Sequence, residues 1–154
     1  MFSNELVCKI LEYINNNINK EITIDELSNM FFYDKTYIMK RFKREINLSI
    51  FEYINHMRIY NSLFLYNYDN YIISIAFKNG FNSLEYYSEI FKKVMGVSPS
   101  TYKKYAKRDI NIKEKDLDLI INNTVKLDQI NKRVELYINN RKPVSKMVKN
   151  ITFK

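Results

Sequence analysis

One face of a short helical segment collects side chains suited to binding an anionic partner. The segment follows Asp34, a good helix N-cap. Its outward positions carry ammonium, hydroxyl and thioether groups, on Lys35, Thr36, Met39, Lys40 and Lys43. Ammonium and hydroxyl groups donate hydrogen bonds to phosphate or base oxygens, and methyl or thioether groups make apolar contacts. The chemistry that this face indicates is non-covalent binding.

Catalytic and metal-binding constellations are sparse. His56 is the sole histidine and Cys8 the sole cysteine, so a catalytic triad or a multi-histidine metal site would have to be built around one residue. We expect His56 to have a structural or surface role and Cys8 to pack in the first helix. No glycine-rich phosphate loop is present. The sequence therefore predicts a protein that is not an enzyme and that needs no cofactor or metal.

The bulk composition favours a helical, basic protein. Two glycines and two prolines are few for the turns of a β-protein. The 25 basic and 17 acidic residues give a net charge of +8, which suits nucleic acid or an anionic membrane surface. The single cysteine, the lack of a signal pattern and the lack of a long apolar run predict a cytoplasmic protein with no membrane partner.

The chain contains an internal repeat of roughly 30 residues. A shift of 49 positions superposes seven similar pairs, which are Tyr37/Tyr86, Phe42/Phe91, Lys43/Lys92, Arg44/Lys93, Leu48/Val97, Ser49/Ser98 and Tyr53/Tyr102. Upstream, Leu27-Ser28 corresponds to Ile75-Ala76 with a slip of one residue. The same structural unit is therefore predicted twice.

Each copy is predicted to form two short helices around a tight turn. In the first copy, Thr23 and Glu26 have capping-box spacing, and Asp34 caps the second helix. In the second copy, Gly80 suits a left-handed turn, and either Asn82 or Ser83 caps the next helix. That helix has outward positions at Leu84, Glu85, Ser88, Glu89 and Lys92, with Ser83 near its start.

A longer periodic stretch from Ser49 to about Tyr66 separates the two copies and predicts a linker helix with a broad apolar face. At 1.5 Å per residue this helix would span roughly 26 Å. Recognition helices that enter successive major grooves on one side of B-DNA lie about 34 Å apart. A rigid spacer of this length, with helices packed at each end, makes that separation plausible.

The residues from Gly80 to Tyr102 resemble the signature of the AraC/XylS transcription regulators. They comprise Gly80-Phe81, Tyr86-Tyr87, Phe91-Lys92-Lys93, Gly96-Val97-Ser98-Pro99 and Tyr102, and the resemblance extends over about residues 5–105. It implies a seven-helix domain with two helix-turn-helix motifs that contacts an asymmetric promoter site and usually activates transcription. The expected fold is all-α, with two helix-turn-helix subdomains over 1–108 and a small helix/strand extension over 109–154. The expected partners are double-stranded promoter DNA and RNA polymerase.

The resemblance and the outward face together assign roles on the first recognition helix. Lys40 is expected to donate to guanine O6 or N7, and Met39 or the Thr36 methyl to pack on a thymine methyl. Lys43 is expected to anchor phosphate, which positions the protein without reading sequence. For Lys35 and Lys43, a solvated surface charge is an equally good interpretation. Arg58, on the linker helix, either contacts phosphate or bridges to an acidic neighbour.

The second recognition helix departs from the family pattern. Glu89 stands where the family often has a basic or amide residue; it could accept a hydrogen bond from cytosine N4 or repel phosphates. Glu85 could cap its own helix if Asn82 is the N-cap. The second motif is therefore expected to orient the domain more than it reads sequence. In the first copy Phe32 replaces a frequent glycine, which requires a turn without positive φ, or strain.

The last 49 residues lie outside the resemblance. Asp116 is expected to cap a helix, and residues 134–138 alternate like a strand, followed by a second strand before the end. This tail packs on the DNA-binding domain, mediates dimerisation, or begins a further domain of a longer protein. Only about four residues precede the domain, so no effector-binding region is expected in this chain. The rival interpretation is a protein-interaction module that acts through RNA polymerase or another regulator.

Overall fold

The structure is a computed structural model that describes residues 2–140, with side chains from residue 5 onwards. Eight α-helices follow one another in this part of the chain, without a strand: α1 (Phe2–Asn16), α2 (Ile24–Phe31), α3 (Lys35–Ile46), α4 (Ile50–Leu63), α5 (Ile72–Lys78), α6 (Leu84–Met95), α7 (Pro99–Ala106) and α8 (Glu114–Asn139). A 3-10 turn, Phe64–Asn67, follows α4. The all-α prediction is confirmed.

The described residues divide into two compact units. Unit 1 holds residues 2–17, 22–53 and 130–140, and unit 2 holds residues 18–21 and 54–129. Unit 1 thus contains the helix pair α2–α3, and unit 2 contains the pair α5–α6. Helices α4 and α8 each contribute residues to both units.

The internal repeat is visible in the backbone. The bounds of α6 lie 49 residues after those of α3, at both the first and the last residue. The two helices end in the same way, because Asn47 and Gly96 are both left-handed, with φ of 66° and 81°. The preceding helices begin 48 residues apart, at Ile24 and Ile72, which confirms the slip of one residue.

Side-chain caps fix where the helices begin. Thr23 and Glu26 form the predicted capping box at α2. Asp34 accepts a hydrogen bond from the backbone N–H of Thr36, and Ser83 accepts one from that of Tyr86, at 3.0 and 3.1 Å. Each cap satisfies an amide that has no intrahelical partner, which stabilises a helix by about 1 kcal/mol. Ser83, and not Asn82, is the N-cap, so Glu85 stands at the second helical position and the condition for its capping role is not met.

The core of unit 1 packs the amphipathic faces of α1 and α3 together. From α3 come Ile38, Phe42 and Ile46, all with at most 2% exposure. Helix α1 supplies a stripe of five buried aliphatic side chains, which are Leu6, Val7, Ile10, Leu11 and Ile14. Burial of each such side chain contributes about 1.5–3 kcal/mol, so the inward face of α3 is held firmly.

The core of unit 2 is built from aromatic rings. Phe91 packs against Tyr66, Tyr87 and Tyr102, with ring centroids between 5.6 and 6.1 Å apart. The buried hydroxyls are satisfied, because Tyr87 donates to Ser62 at 2.9 Å and pairs with Tyr66 at 2.7 Å. This network fixes α6 against α7 and the 3-10 turn.

The linker helix is shorter than predicted. The expected span ran to about Tyr66, whereas α4 ends at Leu63 after 14 residues, about 21 Å. Its start matches the prediction, since Ser49 and Glu52 exchange reciprocal hydrogen bonds of 3.1 and 2.9 Å. Phe64, which lies within the predicted span of the linker helix, is 57% exposed in the 3-10 turn that follows α4.

The strand expected at 134–138 is wrong, because these residues belong to α8. The alternation of Val134, Leu136 and Ile138 suggested a strand, but Leu136 is 45% exposed while the other two are buried at 1% and 8%. Val134 and Ile138 are four residues apart and share one helical face. The helix also begins at Glu114, which places Asp116 in its first turn and not at its N-cap. The second expected strand lies outside the described residues.

Phe32 adopts the strained alternative that the sequence left open. Its φ of 60° is left-handed, and its ring is 91% exposed. A non-glycine residue in this region costs about 1–2 kcal/mol. Gly80 occupies the corresponding turn in unit 2 with φ of 86°, as predicted.

Candidate nucleic-acid interface

Helix α3 presents a polar face because its opposite face is buried. Ile38, Phe42 and Ile46 anchor it in the core of unit 1. The five predicted contact residues are all exposed, namely Lys35, Thr36, Met39, Lys40 and Lys43. The structure thus brings the first predicted group together on one surface of one helix.

A shallow groove of about 480 Å³ runs along this helix. It is lined by Asp34, Thr36, Tyr37, Lys40, Arg41 and Arg44. Three of these, Tyr37, Arg41 and Arg44, were missed by the sequence reasoning. They lie at i, i+4 and i+7 and so form one flank of the helix, a spacing that could have identified them. The groove combines three cationic side chains with one carboxylate.

Two of the predicted lysines have acidic partners. Lys35 forms an ion pair with Asp25, whose hydrogen bond raises the pKa of Lys35. Lys43 lies 3.6 Å from Glu52. The pKa of Glu52 is lowered, chiefly by the backbone N–H of Ser49 and further by Lys43. Exposed pairs of this kind contribute little stability, so either lysine can exchange its partner for a phosphate.

Lys40 and Thr36 are differently placed. Lys40 is exposed in the groove and has no hydrogen-bond or ion-pair partner in the part of the chain that the structure describes. Only the backbone N–H of Thr36 is engaged, by Asp34, and its exposed side chain lines the same groove. Met39 is 42% exposed. These three side chains present one ammonium, one hydroxyl and one flexible apolar tip to a partner.

Helix α6 carries the second predicted group on its solvent side. Glu85, Glu89 and Lys92 are exposed, whereas Ser83, Leu84 and Ser88 are half-buried. The side chain of Ser83 is occupied as the N-cap. Two carboxylates and one ammonium give this surface a different charge balance from α3.

Arg58 has a structural role that sequence reasoning left open. Its Nε donates to the carbonyl of Ile18 and its terminal nitrogen to that of Lys20, both at 2.7 Å. The guanidinium also lies 5.9 Å from the ring centroid of Phe81. Burial lowers the pKa of Arg58. It therefore bridges to backbone carbonyls within unit 2 instead of to an acidic neighbour.

The structure offers little to other kinds of site. Between residues 5 and 140, no three acidic, histidine or cysteine side chains cluster in a way that could hold a metal ion. Over residues 2–140, no helix combines the length and apolarity needed to cross a membrane. Cys8 is buried in α1, as predicted, with its sulfur 3.8 Å from the carbonyl of Tyr137.

Comparison with known proteins agrees with this geometry. A family model described as a helix-turn-helix domain matches residues 27–105, just over half of the chain. The transcriptional regulatory protein HptR of Staphylococcus aureus (strain NCTC 8325 / PS 47) is 33% identical over 101 residues. This alignment covers 66% of the chain and 40% of that relative, so the chain spans well under half the length of this curated protein.

Solved structures share the fold. The C-terminal domain of AraT, a response regulator from Geobacillus stearothermophilus, aligns with a TM-score of 0.62 and 24% identity, covering 65% of this chain and 84% of that one. The DNA-binding domain of AdpA in complex with a target DNA aligns with a TM-score of 0.61 and 16% identity, covering 68% and 96%. The chain belongs to the AraC-type helix-turn-helix family of DNA-binding transcription regulators.

Proposed function

We propose that this chain is a sequence-specific regulator of transcription, without enzymatic activity, that reads double-stranded promoter DNA mainly through α3. The observation that carries the proposal is the polar groove on α3, where Lys40 and Thr36 have exposed side chains beside Arg41 and Arg44. An α-helix of this kind fits the major groove, where bases expose a distinctive pattern of donors and acceptors. The net charge of +8 would add long-range attraction to DNA.

Within α3 we assign base reading and phosphate binding to different residues. Lys40 donates to guanine O6 or N7, and Met39 and the Thr36 methyl contact thymine methyl groups. Lys35 and Lys43 bind phosphates in exchange for Asp25 and Glu52, since their exposed ion pairs are weak. Arg41 and Arg44, which sequence reasoning missed, widen the same cationic surface, and Tyr37 adds a hydroxyl and an aromatic ring to it.

We assign α6 a smaller share of sequence reading. Glu85 and Glu89 are exposed carboxylates, which disfavour close approach to phosphates, although either can accept from cytosine N4. Lys92 binds a phosphate. The shorter side chains of Ser83, Leu84 and Ser88 make the remaining DNA contacts of α6. In this proposal α6 enters a second, successive major groove and orients the domain.

The wider role is proposed by analogy with the family. The chain would activate transcription in the bacterial cytoplasm, at the nucleoid, by contacting RNA polymerase from its promoter site. Residues 1–108 would form the DNA-binding domain and 109–154 an extension. The curated relative is more than twice as long as the aligned region.

The residue assignment can be tested by comparing Lys40→Ala with Lys126→Ala. Both changes remove one exposed ammonium, but Lys126 lies on α8. We expect Lys40→Ala to lose about 1–3 kcal/mol of discrimination between a selected site and random DNA. Lys126→Ala should change affinity for both DNAs alike. Equal losses on both DNAs for Lys40→Ala would contradict its role as a base reader. If the unchanged protein prefers no DNA fragment over random DNA, the protein-interaction alternative gains support.

A further inference from the structure

Helix α8 supplies a hydrogen bond to the end of each candidate recognition helix. The side-chain amide of Asn123 donates to the carbonyl of Met95, the last residue of α6, at 2.9 Å. The guanidinium of Arg133 donates to the carbonyl of Ile46, the last residue of α3, at 2.8 Å. The final carbonyls of a helix have no intrahelical donor, so each bond satisfies a group that would otherwise depend on water.

Buried side chains anchor α8 near both donors. Ile120 and Leu127, three residues before and four after Asn123, are each 1% exposed in unit 2. Val134, adjacent to Arg133, is 1% exposed in unit 1. Ile120 and Leu127 share a face of α8 with Asn123, so the amide loses little freedom when it forms its bond. Arg133 is itself exposed and stands one position before the buried Val134.

Further bonds surround the cap on α3. The hydroxyl of Tyr137 donates to Glu45 in the last turn of α3, at 3.1 Å. A cation at a helix C-terminus also interacts favourably with the helix dipole. Arg133 therefore supplies both a donor and a charge at the end of α3. On α6, the same Asn123 amide lies 3.2 Å from the position that a Cβ on Gly96 would occupy, so it fits closely over the left-handed cap.

We propose that α8 forms a clamp at two separate points: Asn123 is a positioning residue for α6 within unit 2, and Arg133 is a positioning residue for α3 within unit 1. This inference rests on the proposed function. The clamp lies beyond residues 27–105, the part that matches the family model. In this proposal residues 114–139 take part in DNA reading. Within each unit α8 fixes the direction in which the recognition helix presents its side chains, and α8 itself touches no base.

Removal of either hydrogen bond of the clamp should reduce the specificity of DNA binding more than it reduces binding as such. Base contacts require a fixed donor geometry, whereas phosphate attraction depends chiefly on charge. We therefore expect Arg133→Gln and Asn123→Ala each to weaken binding to the selected site by roughly tenfold, the factor that corresponds to about 1.4 kcal/mol. For Asn123→Ala, binding to random DNA should change by less than about twofold. For Arg133→Gln, it should change by less than about twofold beyond the effect of removing one charge.

Adjacent residues provide matched controls in the full-length chain. Lys132→Gln removes the same charge as Arg133→Gln, and Asn122→Ala the same amide as Asn123→Ala, from exposed positions on α8. Both controls should keep the ratio of specific to random affinity. Arg133→Lys should restore much of that ratio, because an ammonium can still donate to the carbonyl of Ile46. An unchanged ratio for Arg133→Gln, or an equal loss in Lys132→Gln, would overturn the clamp.

Amide hydrogen exchange tests the clamp without DNA. Arg133→Gln should speed exchange in the last turn of α3, and Asn123→Ala in the last turn of α6, each leaving the other helix unchanged. Exchange that is unaltered in both would overturn the clamp, even if the wild-type protein reads DNA. A wild-type protein with no preference for any DNA would instead refute the proposed function, and the exchange result would still show whether α8 fixes these helix ends.

Discussion

Replacement of Arg58 by alanine should destabilise the protein without acting through DNA. Its guanidinium donates to the carbonyls of Ile18 and Lys20 and thereby holds residues 18–21 in unit 2. Hydrogen bonds with a charged partner contribute about 1.5–3 kcal/mol each, and the lower figure applies because Arg58 is only half-buried. The approach to the Phe81 ring adds about 0.5 kcal/mol. We expect the free energy of unfolding to fall by about 3.5 kcal/mol.

Urea denaturation followed by circular dichroism measures this loss directly. Arg58→Lys keeps the charge but offers a single ammonium, which cannot reproduce the two-pronged geometry, so we expect it to lose about half as much. A loss below about 1 kcal/mol for Arg58→Ala would refute the bridging role. So would unchanged stability together with weaker DNA binding, because that combination identifies Arg58 as a phosphate contact.

Two further predictions concern backbone strain and acid stability. Phe32→Gly should raise the free energy of unfolding by about 1 kcal/mol because glycine tolerates the φ of 60°, whereas Phe32→Ala, which retains a Cβ, should not; thermal denaturation compares them, and equal Tm values would contradict the strain. The pKa of Asp69 is lowered to about 2 by hydrogen bonds, first from Ser74 and then from the backbone of Tyr71, with Lys78 adding to both. The stabilising effect of the Asp69 carboxylate is therefore complete above its ordinary pKa near 3.8 and is lost as the pH falls towards 2. Asp69→Asn should flatten the pH dependence of stability in that window, and an unchanged slope would contradict the assignment.

Local sequence signals predicted where the recognition helices begin and end. The capping residues Thr23, Asp34 and Ser83 act within three positions of their targets, so their role depends on little beyond the neighbouring residues. The 49-residue shift also transferred the bounds of α3 to α6, because a duplicated unit repeats its buried positions as well as its caps.

Features that depend on tertiary packing were not predicted. Residues 134–138 fit a strand period and a helical face equally well in sequence, and the choice is made by burial of Val134 and Ile138 on one side of α8. The pairing of Lys35 with Asp25 joins two helices and has no local signature.

The cationic flank at Arg41 and Arg44 was missed for a different reason. The positions predicted from the sequence are those farthest from the core, whereas the groove is also lined by residues on the flank of the helix. The clamp by α8 was also out of reach, because hydrogen bonds from Asn123 and Arg133 join residues 28 and 87 positions apart.

The most direct test of the central claim is a salt titration of DNA binding. The purified 154-residue chain is mixed with labelled promoter fragments from its own genome and with random DNA as competitor, between 50 and 200 mM salt. If about six phosphates are contacted, affinity should fall on the order of a thousandfold across this range, and one fragment should outcompete random DNA throughout. Binding that is insensitive to salt, or that shows no preferred fragment, would contradict a sequence-specific DNA-binding function.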